Sequence, residues 1–107
     1  MKILVVFLIS LTWADKFTEA DKLFGAKSYG EALQAYLDAM IDEPTNLKLN
    51  YNIGNSLYRL ERYEEAISYF NRTMALQPDD VEAWQMIKYN LMSLGKTEEA
   101  LKSFIEF

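Results

Sequence analysis

Residues 50–70 read NYNIGNSLYRLERYEEAISYF, and residues 75–80 read ALQPDD. Apolar side chains recur through this stretch at helical spacing, first Ile53, Leu57 and Leu60, then Ala66, Ile67, Phe70 and Met74, while strand-like alternation is nowhere sustained. Working outward, Tyr63, Ala66, Phe70, Thr73 and Pro78 each have a counterpart 34 positions earlier, namely Tyr29, Ala32, Tyr36, Ala39 and Pro44. The series starts a third time at Thr97, Ala100 and Phe104. A fixed period of roughly 20 to 50 residues is the mark of a stacked-repeat architecture.

The pattern predicts an all-α chain of six helices in three antiparallel pairs, at about 15–26 and 29–43, 46–60 and 63–77, then 80–94 and 97–107. Pro44 and Pro78 each end a helical pattern, because proline lacks the amide hydrogen that a continuing helix would use. Thr45, Asp79 and Asp80 follow them and are suited to cap the next helix.

Composition removes many function classes. The 107 residues are 50% hydrophobic and 25% charged, as in ordinary globular domains. With no histidine and no cysteine, the chain excludes disulfides, zinc sites built on those residues, and Cys/His or Ser/His/Asp catalysis. We expect no cofactor, no metal and no enzymatic activity. Sixteen acids against 11 bases give a net charge of -5, a poor match to a phosphate backbone, so nucleic acid is not an expected partner.

The first fourteen residues stand outside the period. Met1 and Lys2 precede an apolar run, Ile3 to Ile9, which continues to Trp13 and ends at Ala14 before Asp15 and Lys16. A basic start, an apolar core and a small residue at the cut form the order of a secretory signal, so residues 1–14 are expected to be removed after Ala14. The protein is therefore expected outside the cytoplasm, most simply in a periplasm and otherwise secreted. The alternatives are an uncleaved membrane anchor, although the run is short for a span of about 20 residues, and a helix or strand buried against the repeats.

The middle unit resembles the tetratricopeptide repeat (TPR) family, carrying Asn50, Ile53, Gly54, Leu57, Tyr63, Ala66, Phe70 and Pro78 in the family's order. The resemblance covers residues 13–107, in units of about 13–46, 47–80 and 81–107, and implies a right-handed superhelical α-solenoid. Gly54 and Ala66 are small where paired helices must approach closely, and Leu57, Tyr63 and Phe70 fill the space around them. The first unit departs with Glu19 and Ala20, the third with Lys88 at the close-approach position and Thr97 for the tyrosine. The combination of a signal, a short array and the YNIGN string is also similar to small exported repeat proteins of bacterial aerotolerance operons.

Family members bind partners on a concave face formed by the first helix of each unit. The resemblance therefore implies a groove of Phe17, Asp21, Phe24, Lys48, Tyr51, Asn52, Asn55, Tyr58, Arg59, Glu82, Gln85, Met86, Tyr89 and Met92, an aromatic and polar lining suited to a peptide. Some of these rings are equally suited to packing within the stack. Members that hold acidic chaperone C-termini use a clamp of lysine, asparagine and arginine; the matching positions here are Phe17, Asp21, Asn52, Glu82 and Met86, and only the asparagine remains. An acidic terminus would meet Asp21 and Glu82, so that ligand is not expected.

Arrays of this family close with a polar-faced helix, so Leu101, Phe104, Ile105 and Phe107 are expected to remain partly exposed and to offer a surface for homo-oligomerisation. Asn71-Arg72-Thr73 fits a glycosylation sequon within a predicted helix. The sequence thus points to a protein-binding scaffold module, with a self-assembling structural repeat as the alternative.

Overall fold

The computed structural model describes residues 13–96 together with Glu98, Glu99 and Lys102. Five helices fill the described stretch: α1 (Trp13–Gly25), α2 (Tyr29–Met40), α3 (Leu47–Arg59), α4 (Tyr63–Leu76) and α5 (Val81–Ser93). Among the described residues each helix packs chiefly on its neighbour in sequence, and α3 also touches α5, as in a stack of repeats. Glu98, Glu99 and Lys102 are helical, within the span expected for a sixth helix; the rest of that span, including Leu101, Phe104, Ile105 and Phe107, lies outside the described residues. So do residues 1–12, while Trp13 and Ala14 form the first turn of α1.

The 34-residue period is written into the backbone as well as the side chains. Lys27, Glu61 and Gly95 are one period apart, and all three adopt left-handed φ values of 64°, 61° and 78°. The same pair of amides closes each helix end: Lys27, Glu61 and Gly95 donate to Phe24, Tyr58 and Met92, at 2.9, 3.0 and 3.0 Å, and behind them Ser28, Arg62 and Lys96 donate to Leu23, Leu57 and Leu91, at 2.9, 2.9 and 2.8 Å. Such a closure satisfies carbonyls that the helix end would otherwise leave bare.

Helix starts repeat in the same way. Asn46 accepts from the Leu49 amide at 3.0 Å, and Asp80, one period on, accepts from the Ala83 amide at 3.1 Å. The cap of α3 is therefore Asn46 and not Thr45, because its side chain stands three residues before the amide it must reach. The carbonyls of Pro44 and Pro78 are held by side chains six residues on, the Asn50 amide at 3.2 Å and the Trp84 indole at 3.1 Å. Helix α2 ends at Met40, three residues before the expected 43. Ile41, Asp42 and Glu43 instead donate to the carbonyls three residues back, tightening the chain into a turn.

Inside the stack, Gly54 faces the ring of Phe70 so closely that a Cβ there would lie 2.8 Å from two of its carbons. Phe70 and Ala66 are wholly buried, and Tyr51 completes the contact with an edge-to-face ring 5.4 Å from Phe70. The first unit repeats this with Ala20 in place of Gly54 and with Phe17 set 5.7 Å from Tyr36. Buried Ser56, Thr73 and Asn90 each donate to the carbonyl four residues back, which satisfies the two hydroxyl donors and the Asn90 amide N–H within their own helices.

The close contact at Gly54 and the left-handed turns set three expectations for stability. Gly54→Ala forces a rigid, buried ring aside and should cost about 1–2 kcal/mol in chemical denaturation, the overpacking penalty outweighing alanine's better helix propensity. Conversely, Glu61→Gly relieves a left-handed non-glycine residue and should stabilise by about 0.5–1 kcal/mol, while Gly95→Ala should destabilise by about 1 kcal/mol. An unchanged midpoint for Glu61→Gly would show that the turn carries no strain.

Candidate functional site

The first helices α1, α3 and α5 carry the residues expected to line a groove, and the structure sorts those residues by depth. Phe17 is 9% exposed and belongs to the core, deeper than an open strip would place it. Phe24, Tyr51 and Tyr58 are half-buried. Each ring leans edge-to-face on a partner from the second helix of its unit: Phe24 on Tyr29 at 5.1 Å and Tyr58 on Tyr63 at 5.8 Å, as Tyr51 does on Phe70. These aromatics therefore serve packing and lining together, because a ring at the helix boundary has one side toward the neighbouring helix and another toward solvent.

The two cations of the site sit on rings of the preceding unit. The Lys48 ammonium lies 5.2 Å from the centre of Phe17, and the Arg59 guanidinium lies 6.0 Å from Phe24 and 5.7 Å from Tyr29. Each contact spans the boundary between the first two units and is of a kind worth roughly 0.5–1 kcal/mol at an exposed position.

Polar residues also tie helix to helix. Asp21 accepts a hydrogen bond from the Tyr36 hydroxyl at 2.5 Å. Burial first, then the bond to Asp21 and its charge, raises the Tyr36 phenol above its ordinary range, while the Asn52 amide of the next unit pulls the other way. Three helices thus converge on one hydroxyl. Tyr51 is treated similarly one unit on: burial, then the negative charges of Glu82 and Asp80, raises its phenol, and the Asn55 amide opposes.

Two clefts open along this face. One, of about 290 Å³, is lined by Ala14, Phe17, Thr18, Asn46 and Lys48. The other, of about 440 Å³, is lined by Asn46, Leu47, Lys48, Tyr51, Asp80 and Glu82. Advancing the first by one period turns Ala14, Phe17, Asn46 and Lys48 into Lys48, Tyr51, Asp80 and Glu82. The second is the same cleft, one unit further along. On α5, Met86 is half-buried against the core, Gln85 and Glu82 are exposed, and Tyr89 and Met92 are exposed to 44% and 51%.

Asn46 and Asp80 had no place in the groove read from the sequence. Both stand one residue before their helix and line a cleft while capping it. The signal was present in the period, since the two are 34 residues apart, but a polar residue after a proline reads first as a cap.

Several known proteins are similar to this chain. The STIP1 homolog of Dictyostelium discoideum is 31% identical over 94 residues, 84% of this chain and 17% of that protein. Human protein O-mannosyl-transferase TMTC3 is 30% identical over 70 residues, 65% of this chain and 8% of that protein. The chain spans between 8% and 17% of the length of these curated relatives. Among solved structures, the first TPR domain of Spaghetti (RPAP3), bound to an HSP90 peptide, superimposes with a TM-score of 0.80 at 27% identity, over 87% of this chain and 74% of that one. MamA shares the fold, with a TM-score of 0.85 at 20% identity over 92% of this chain and 54% of that one. The family model Tetratricopeptide repeat matches residues 23–91, the stretch in which turns, caps and aromatic contacts recur, and the chain belongs to the tetratricopeptide repeat family.

Proposed function

We propose that the α1–α3–α5 face binds an extended segment of a protein partner, and that the chain works as a scaffold module. The observation that carries this reading is the pair of clefts set one repeat apart along a single face. Half-buried rings give apolar floor, while Asn52, Asn55 and Gln85 offer amides that can donate and accept along a peptide main chain. The first TPR domain of Spaghetti, in complex with an HSP90 peptide, supports a peptide as the kind of ligand. An acidic chaperone tail is not part of the proposal, because Phe17, Glu82 and Met86 occupy the positions where such a ligand needs cations, and Asp21 and Glu82 would repel it. Transferase activity is likewise not carried over from TMTC3, of which only 8% is matched.

The apolar run at residues 3–9 supports export, and with it a partner in an envelope or extracellular complex. Edman sequencing of protein recovered from the expressing cell tests this: a new N-terminus at Asp15 supports export, and an intact Met1 in the cytosolic fraction sinks it.

Self-association is the second reading, favoured by apolar exposure on α5, where Val81, Tyr89 and Met92 are 50%, 44% and 51% exposed. Sedimentation at rising concentration decides it: a Phe104→Asp variant that turns an oligomer into a monomer supports the reading, and a wild-type protein that stays monomeric throughout ends it.

The groove itself is best tested away from Tyr58, whose loss would also remove packing on Tyr63. We expect peptides selected by display on the immobilised domain to bind Asn55→Ala/Tyr89→Ala at least about tenfold more weakly in calorimetry, with the melting temperature nearly unchanged. Equal affinity in the variant would move the site off this face.

A further inference from the structure

The two clefts share a frame and differ in charge. In the first, Lys48 lies over the ring of Phe17. One period on, the ring is Tyr51 and the residue in the place of Lys48 is Glu82, while Asn46 is replaced by Asp80. The stack therefore supplies its own cation to the first aromatic position and two carboxylates beside the second. Both carboxylates line the cleft together with Tyr51, and after burial their charge raises its phenol above the ordinary range. Lys48 also lines this second cleft, but its ammonium is held over Phe17, 5.2 Å from that ring's centre.

The geometry points to the α3–α5 cleft as a receptor for a lysine or arginine side chain of the partner peptide, seated against Tyr51 with Glu82 and Asp80 beside it. This deepens the groove reading above and rests on it. The seat repeats, between molecules, the contact that Lys48 makes with Phe17 within the chain. An aromatic face attracts a cation through its quadrupole, and a neighbouring carboxylate adds a charge-assisted hydrogen bond. The cleft is roomy enough, at about 440 Å³, for a long basic side chain with the main chain that carries it. The net charge of -5 favours the approach of a basic partner over long range. The arrangement is opposite in sign to a site for an acidic peptide.

Three short peptides, acetylated and amidated, test the inference: alternating lysine and alanine, and twins with glutamine or glutamate at every lysine. Each is titrated into the isotopically labelled protein at low salt while the amide resonances of Lys48, Tyr51 and Glu82 are followed. The lysine peptide should shift them and bind about tenfold more tightly than the glutamine twin, and the glutamate twin should leave them in place. Added salt should weaken the response.

Two variants bear on the site. Glu82→Lys builds the internal cation into the second cleft and should abolish the preference for lysine while circular dichroism shows an unchanged fold. Asp80→Asn keeps the cap, since asparagine caps as well as aspartate, and should reduce the preference in part. If the glutamine twin shifts the same amides equally, the face binds peptides and the cation seat is wrong. If none of the three moves these amides, the cation seat is also overturned, and the groove reading then stands or falls on the display experiment with Asn55→Ala/Tyr89→Ala.

Discussion

The ring of Phe70 lies against Gly54 with no room for even a methyl group between them. That contact sets how closely α3 and α4 approach, and the rest of the unit is arranged around it. Because the ring fills the space beside Gly54, Tyr51 meets it edge-on from one turn earlier on α3 and cannot sink into the core. Tyr51 is left with one side toward the stack and another toward the cleft. A functional surface thus arises from a packing constraint: the aromatic that seals the helix pair is also the floor of the site.

The same constraint explains why repetition reaches the backbone. A helix pair held at one separation needs a turn of one shape to join its members, and Lys27, Glu61 and Gly95 supply that turn at the same register. Only the third is glycine. Lysine and glutamate tolerate the left-handed conformation because the neighbouring hydrogen bonds to Leu23 and Leu57 over-determine it, at a cost the packed unit carries. Cross-unit links then set one pair against the next: Asn52 at the Tyr36 hydroxyl, and Lys48 and Arg59 over the rings of the first unit.

Features that depend on period and side-chain size were legible in the sequence. The helix pairs and the breaks before Pro44 and Pro78 came from spacing, and the closeness of Gly54 from the family resemblance and its small size, since a repeat cannot change these without losing its core. Features that depend on where a side chain turns were not. Nothing in the string distinguishes Asn46 from Thr45 as the cap, because both residue types cap well and only the local backbone selects between them. Phe17 looked like groove because its register matches Tyr51, yet it is buried where Tyr51 is half-buried, and Lys48 stands over it. The bond from Tyr36 to Asp21 crosses 15 residues and two helices, a distance at which spacing carries no signal.

Both clefts lie where one unit meets the next, and this bears on what a ligand does to the array. In a stack whose units pack chiefly on their neighbours, stability is approximately the sum of each unit's own term and the terms at their boundaries. The boundary between the first two units is reinforced by Lys48 and Arg59, which bring cations from the second unit onto rings of the first. At the next boundary the corresponding residues are Glu82 and Ser93, so neither of those two cations is repeated there. A ligand seated there would supply the missing contact and add its binding free energy to the boundary term. Recognition and the docking of α5 onto α3 are then one equilibrium, with the partner acting as a removable version of a contact that the first boundary has built in.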